Sequence, residues 1–357
     1  MKSRILSLLL VATVAVIPGL AKASQVEIPC DNHQDSRMDG WTDTGIGLTS
    51  SLGLPAGRYA PTEAPAAPTT LVVMFHGHGN DTCSWRRHLQ QAADRGAIAV
   101  AMDYTGQAPR TIGDKTYDNY GWNVKEGAAD SIEAAQYFLA QFPTITNVIA
   151  FGISMGGNSS GLAVSAGALG QAPRRDAGAP LFDYWIDVEG VNNLIEEYFV
   201  ARGVGPVNAG GKQAQDEIEE ENGGSSFEED PAAYAEITNI LRAPDMSALK
   251  GAVVVNGLDD GLVPTDQSPQ MATALNAAGV PAHLYTVLFR GNGEAGTTGT
   301  GILPGVFKIP YESSFAGHGW EGSDTQLVIK TGFDQLWALM AGGSVDPGET
   351  LVPGLTG

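Results

Sequence analysis

Short apolar runs alternate with stretches of helical spacing along much of this chain. Leu71-Val72-Val73-Met74-Phe75 is a continuous apolar run ended by His76-Gly77, the pattern of a strand buried on both faces. Residues 96–102, closed by Asp103, repeat it. Over 126–142, Ala129, Ile132, Ala135, Phe138 and Leu139 fall on one helical face, and Pro143 ends the helix. A β-type run, Asn147-Val148-Ile149-Ala150-Phe151, comes next, and the small residues of 157–163 can start another helix. Strands are also predicted over 181–188, 252–255 and 282–289, and helices over 268–278 and 324–340. Strands alternating with helices predict an α/β fold: a mostly parallel sheet with helices on both faces. Its crossovers should be right-handed.

Two segments break the alternation. Residues 191–246 are long and acidic, with Asp216, Glu217, Glu219, Glu220 and Glu221, then Glu228, Glu229 and Asp230. Amphipathic pieces such as 194–200 predict helices, so the segment reads as a helical lid inserted after a strand. Its acidic run reads as a solvated helix face. Residues 291–305 are rich in Gly and Thr and read as a flexible loop. Residues 24–70, rich in Pro, Ala, Gly and Thr, predict an irregular lead-in with one or two short strands. The whole of 24–357 therefore reads as a single domain carrying a lid.

Residues 1–23 have the pattern of an export signal. Lys2 and Arg4 are basic, 5–17 are almost wholly apolar, and Ala21-Lys22-Ala23 fits a small-x-small cleavage site. The apolar run is short for a membrane span and ends at Pro18. Cys30 follows no lipobox-like Leu-Ala-Gly. The expectation is a secreted protein, extracellular or periplasmic, with no stable membrane anchor. In an oxidising compartment the two cysteines, Cys30 and Cys83, are expected to pair. A net charge of −20 argues against nucleic-acid binding and, by long-range repulsion, against strongly anionic substrates. No cofactor is expected, and the sequence gives no oligomeric state.

The candidate chemistry centres on Gly152-Ile153-Ser154-Met155-Gly156, a G-x-S-x-G between a predicted strand and a predicted helix. Such a turn exposes a serine hydroxyl at the strand end. In a chain with 46 glycines the pattern alone is unspecific, so its context decides. A serine hydroxyl needs a base, an acid to orient that base, and donors for an oxyanion. In such sites the acid and the histidine follow the serine in that order. The strand 252–255 leads into Asn256-Gly257-Leu258-Asp259-Asp260-Gly261, where two aspartates compete for the acid's place. Downstream, His283 falls inside a predicted strand. His318 sits in the Gly-flanked loop Phe315-Ala316-Gly317-His318-Gly319-Trp320, where a base belongs. Oxyanion donors are expected from the Met155 N–H and from the loop His76-Gly77-His78-Gly79, with His78 first and Gly79 next. His76 and His78 also suggest a metal pair, but only Asp81 stands near them, and no metal is expected.

Phe75-His76-Gly77-His78-Gly79, Gly152-Ile153-Ser154-Met155-Gly156, Gly257-Leu258-Asp259-Asp260-Gly261-Leu262-Val263-Pro264 and Gly317-His318 together resemble the α/β-hydrolase superfamily. The resemblance runs over residues 70–340. The acid loop resembles that family's G-x-x-D-x-x-V-P, which places the acid on Asp260, with Asp259 the alternate. Tyr234, Arg242-Ala243-Pro244, Val263-Pro264 and Gln267-Ser268 are similar to segments of its prolyl-oligopeptidase-like and esterase branch.

The resemblance implies the α/β-hydrolase fold and a secreted serine hydrolase cleaving carboxylic esters through an acyl-enzyme. Ser154, His318 and Asp260 would form the triad, with Met155 and His78 in the oxyanion hole. The chain departs from the branch in two ways. Residues 24–70 leave no room for a β-propeller before Leu71, and the loop before His318 is long. Both departures favour a small-molecule or polymeric ester over a peptide. A prolyl-oligopeptidase-like peptidase and a polyester depolymerase are the alternatives. A non-catalytic binding protein of this fold would show a missing triad member, and none is missing. Trp85, Tyr104, Trp122 and Trp320 fall near the expected acyl pocket.

Overall fold

Alternate residues of each central strand face two separate cores, and this divides the molecule into layers. The computed structural model describes residues 24–26, 46–49, 57–60, 67–112, 115–165, 180–288, 299–300, 310–311, 318–323 and 326–353. The main sheet has ten strands: β1 (Ser24–Val26), β2 (Ile46–Thr49), β3 (Gly57–Ala60), β4 (Thr70–Phe75), β5 (Ile98–Met102), β6 (Asn147–Ile153), β7 (Tyr184–Val188), β8 (Gly251–Gly257), β9 (Ala282–Val287) and β10 (Gly348–Val352). Their spatial order is β1-β2-β3-β5-β4-β6-β7-β8-β9-β10. From β5 to β10 every neighbouring pair is parallel. The first three strands add antiparallel at the β5 edge.

The apolar runs predicted as strands sit at the centre of this sheet. Leu71, Val73 and Phe75 belong to one core, shared with α2 (Val124–Gln141), α3 (Met155–Val164) and α8 (Gln267–Ala277). Val72 and Met74 belong to the other, shared with α1 (Arg86–Ala93) and α9 (Leu327–Met340). Period-two alternation with both faces buried is why the strands read as unbroken apolar runs. On the second face Phe333 stacks on Phe151 at 4.5 Å and on His88 at 3.8 Å between ring centroids.

Between β7 and β8 the chain forms α4 (Leu194–Val204), α5 (Ala209–Glu221), α6 (Pro231–Glu236) and α7 (Asn239–Arg242). These occupy the segment read as a lid. Asn193, Asn208 and Asp230 cap the first three through their side chains. The acidic run is not wholly a solvated face. Glu220 and Glu228 are exposed and paired with Arg110 and Arg202, whereas Glu217 is fully buried against His78.

Several elements escaped the sequence reading. α1 opens on Arg86-Arg87-His88, which masks its amphipathic pattern. The strand Ala108–Ile112, paired with Lys115–Tyr120, and the edge strand β10 are largely exposed and lack the buried-strand signature. Three short strands, rather than one or two, lie within 24–70. The predicted signal over 1–23, Cys30, and the loop over 291–305 apart from Gly299–Thr300 lie outside the described residues. No helix among the described residues is long and apolar enough to cross a membrane. Cys83 is disulfide-bonded.

Candidate active site

Strand register brings the candidate residues to one edge. Phe75 pairs with Gly152 across β4 and β6. Ile153 pairs with Val188 across β6 and β7, and Val188 in turn follows Asp187, the partner of Val254 on β8. The residues immediately after these strand ends are His76, Ser154, Glu189 and the Leu258–Asp260 turn. Loops beyond the carboxyl ends of parallel strands converge in this way, forming the crevice where ligands bind.

Ser154 makes the turn from β6 into α3 with φ 55° and ψ −129°. A non-glycine residue there stores on the order of 1–3 kcal/mol of strain that the surroundings must hold. They hold it through two backbone bonds to the next strand's end: Ser154 N–H to Val188 O at 3.2 Å and Val191 N–H to Ser154 O at 3.0 Å. The flanking glycines are required by close approach. A Cβ on Gly152 would overlap the Gly156 carbonyl and Ser160 Oγ, and one on Gly156 would overlap the Phe75 carbonyl. Backbone cannot yield as a flexible side chain can. Gly156→Ala is therefore expected to lower the unfolding free energy by at least about 2 kcal/mol in urea titration. An unchanged midpoint would contradict this packing.

His318 Nδ1 lies 2.8 Å from Asp260 Oδ2. Asp260 is itself fixed, because its Oδ1 accepts from Leu262 N–H at 2.8 Å and Val263 N–H at 3.1 Å. Of the two competing aspartates, it is Asp260 that meets the imidazole. His318 Nε2 is buried and has no hydrogen-bond partner among the described residues. Burial lowers the His318 pKa. The charge and hydrogen bond of Asp260, with Glu189 and Glu321 adding, more than reverse this and raise it to about 9. His283, by contrast, sits on β9 with its ring bonded to Asp346 O and Thr350 Oγ1, away from this edge.

Two buried glutamates complete the site, and neither was visible in the sequence. Glu189 follows β7 with φ 48°. Its Oε2 accepts from Gly319 N–H at 2.5 Å and lies 3.6 Å from His318 Nδ1. Burial, with the neighbouring Asp260 charge adding, pushes this carboxyl well above the ordinary range. Glu321 accepts from Gly77 N–H at 2.5 Å and from Asn80 Nδ2 at 2.9 Å. Its carboxyl is also raised by burial. The one signal for either was position: Glu189 lies at a strand end before Gly190, and Glu321 lies three residues after His318.

The two histidines of the first loop diverge. His76 is buried, stacked on Tyr104 at 4.0 Å, and bonded through Nδ1 to Gly77 O at 3.0 Å. Burial lowers its pKa to about 4. His78 turns the other way, to Glu217 and to Trp122, 5.6 Å between ring centroids. Among the described residues, the closest set of possible metal ligands is Glu189, Asp260 and His318, with one atom each within 4.8 Å of the others. Asp260 already occupies the His318 nitrogen of that set.

A cavity of about 280 Å³ opens beside Ser154. His78 and Trp122 line it with Val263 and Leu262, α4 contributes Glu197, Val200 and Val204, and α5 contributes Gln213 and Ala214. Of the four aromatics noted in the sequence, Trp122 lines this cavity. Trp85 is packed in the core on the α1 and α9 side, while Tyr104 and Trp320 are buried.

No protein-family profile matches the chain, and no curated protein matches it. Solved structures do. A puromycin hydrolase is 16% identical with a TM-score of 0.53, over 84% of this chain and 39% of that one. A puromycin-hydrolyzing peptidase from Mycobacterium tuberculosis is 16% identical with a TM-score of 0.52, over 87% and 41%. An acylaminoacyl peptidase complexed with Z-Gly-Gly-Phe-chloromethyl ketone is 16% identical with a TM-score of 0.51, over 85% and 41%. The chain spans about two fifths of the length of these proteins. Together with the strand order and the convergent loops, this likeness shows that the chain has the α/β-hydrolase fold.

Proposed function

We propose that the protein is a serine hydrolase that cleaves carboxylic esters. The observation that carries this reading is the Asp260–His318 pair at 2.8 Å, on the same sheet edge as a serine held at φ 55°. Ser154 Oγ attacks the ester carbonyl carbon while His318 Nε2 takes its proton. Backbone N–H groups of Met155 and His78 stabilise the tetrahedral oxyanion. His318 returns the proton to the leaving alcohol, whose bond to carbon breaks to leave an acyl-serine. Water then attacks with His318 again as base, and the acid departs. Asp260 holds the imidazole tautomer and supports the imidazolium throughout. We further propose that the enzyme works outside the cytoplasm. The leader-like residues 1–23 and the disulfide on Cys83 support this.

The peptidase reading draws on the names of the similar solved structures, which include a puromycin-hydrolyzing peptidase and an acylaminoacyl peptidase. A panel of p-nitrophenyl esters of increasing chain length, run beside aminoacyl amides and a polyester, separates the three substrate classes. Ester turnover exceeding amide turnover is expected, and amide preference would overturn the ester reading.

A base must be neutral to accept a proton. With the folded His318 pKa raised from the ordinary 6.5 to about 9, the neutral fraction grows as pH climbs. The kcat/KM for a neutral ester should therefore rise through an alkaline limb whose midpoint lies above 6.5. A midpoint at or below 6.5 would contradict the Asp260 charge acting on this ring.

A further inference from the structure

Glu197 presents a carboxyl to the Ser154 cavity from α4 and is 8% exposed. Its Oε2 is buried and has no hydrogen-bond partner among the described residues. Most of what surrounds it is apolar, with Val191, Val200 and Val204 on the same walls. A buried carboxyl left unpaired in such surroundings carries a desolvation cost that a ligand can repay.

The charged groups facing it are Asp260 and Glu196, which repel its anion, and His318, which attracts it. Burial and these two carboxylates push the Glu197 carboxyl up to about 8 against His318. A cation entering the pocket would favour the anion of this carboxyl. Glu217, which contacts the lining residue His78, is already engaged by it.

We propose that the pocket selects substrates carrying a primary ammonium on a short alkyl chain, held by Glu197 beside the scissile ester. An ammonium supplies both the donors and the charge that this carboxyl lacks, and charge-assisted bonds are the stronger kind. A hydroxyl supplies one donor and no charge. The cavity of about 280 Å³ suits a short chain against the valines. The net charge of −20 raises the local concentration of cations. The inference rests on reading Ser154 as the nucleophile only for what the ammonium is bound next to.

Saturation-transfer NMR on the full chain tests it, with n-butylammonium chloride and 1-butanol titrated separately at about pH 8.5, below the ordinary alkylammonium range. The wild-type protein should bind the ammonium at least tenfold tighter, and Glu197→Gln should bring the ratio close to one. Should that variant not fold, Val200→Lys supplies its own ammonium one turn along α4 and must abolish the preference. A wild-type ratio near one overturns the proposal, as does a preference that survives either folded variant. Binding is read without turnover. Missing ester hydrolysis would therefore sink the reading of Ser154 alone, and a missing ammonium preference would sink the role of Glu197 alone.

Discussion

Ser154→Ala should leave a folded protein whose p-nitrophenyl ester hydrolysis falls by at least about 10⁴-fold. Alanine retains the Cβ, so the backbone bonds from Ser154 to Val188 and Val191 persist and the elbow keeps its shape. What is removed is the one oxygen able to form the acyl-enzyme. Met155 and His78 would still polarise a bound carbonyl, so a small residue of activity above the uncatalysed rate is expected. Circular dichroism should match the wild type. Turnover within tenfold of wild type would remove Ser154 from the mechanism.

The second large effect separates two adjacent aspartates. Asp260→Asn should lower kcat by roughly 10⁴-fold, the size expected when a catalytic histidine is held in the wrong tautomer. The amide would present an N–H where His318 Nδ1 now meets an oxygen at 2.8 Å. Asp259→Asn should change kcat no more than a few-fold. Glu189 lies 3.6 Å from the same nitrogen, which invites the idea that it substitutes for the lost acid. Geometry and burial argue otherwise: its Oε2 already accepts from Gly319 N–H, and burial disfavours its anion. A larger loss in Asp259→Asn than in Asp260→Asn would reverse the assignment.

The parts of this molecule that were legible in its sequence share a physical property: their signals are local. Leu71–Phe75 reads as a strand because every side chain in it is buried. Gly152 and Gly156 read as an elbow because carbonyl oxygens leave no space for a Cβ at either. His318 was found by its glycine-flanked loop, and Asp260 by a short motif, but only register could bring the two together. Glu189 and Glu321 gave no such signal. Each is defined by what lies across the fold, Gly319 and Gly77 respectively, and a lone glutamate has no pattern of its own. Glu217 shows how a correct compositional statement misleads: an acidic run does mark a helix surface, yet one of its members faces inward to His78.

The bond from Gly77 N–H to Glu321 joins the segment that precedes His78 to the segment that follows His318. Glu189 anchors that second segment again through Gly319. On the proposed roles, proton transfer and anion support therefore both depend on these two bonds. Loosening them with heat or denaturant would unseat both functions in the same event, with no half-working species in which one survives the other. Inactivation should then follow a single step that precedes loss of the deeply buried strands, and substitutions at the two segments should not add.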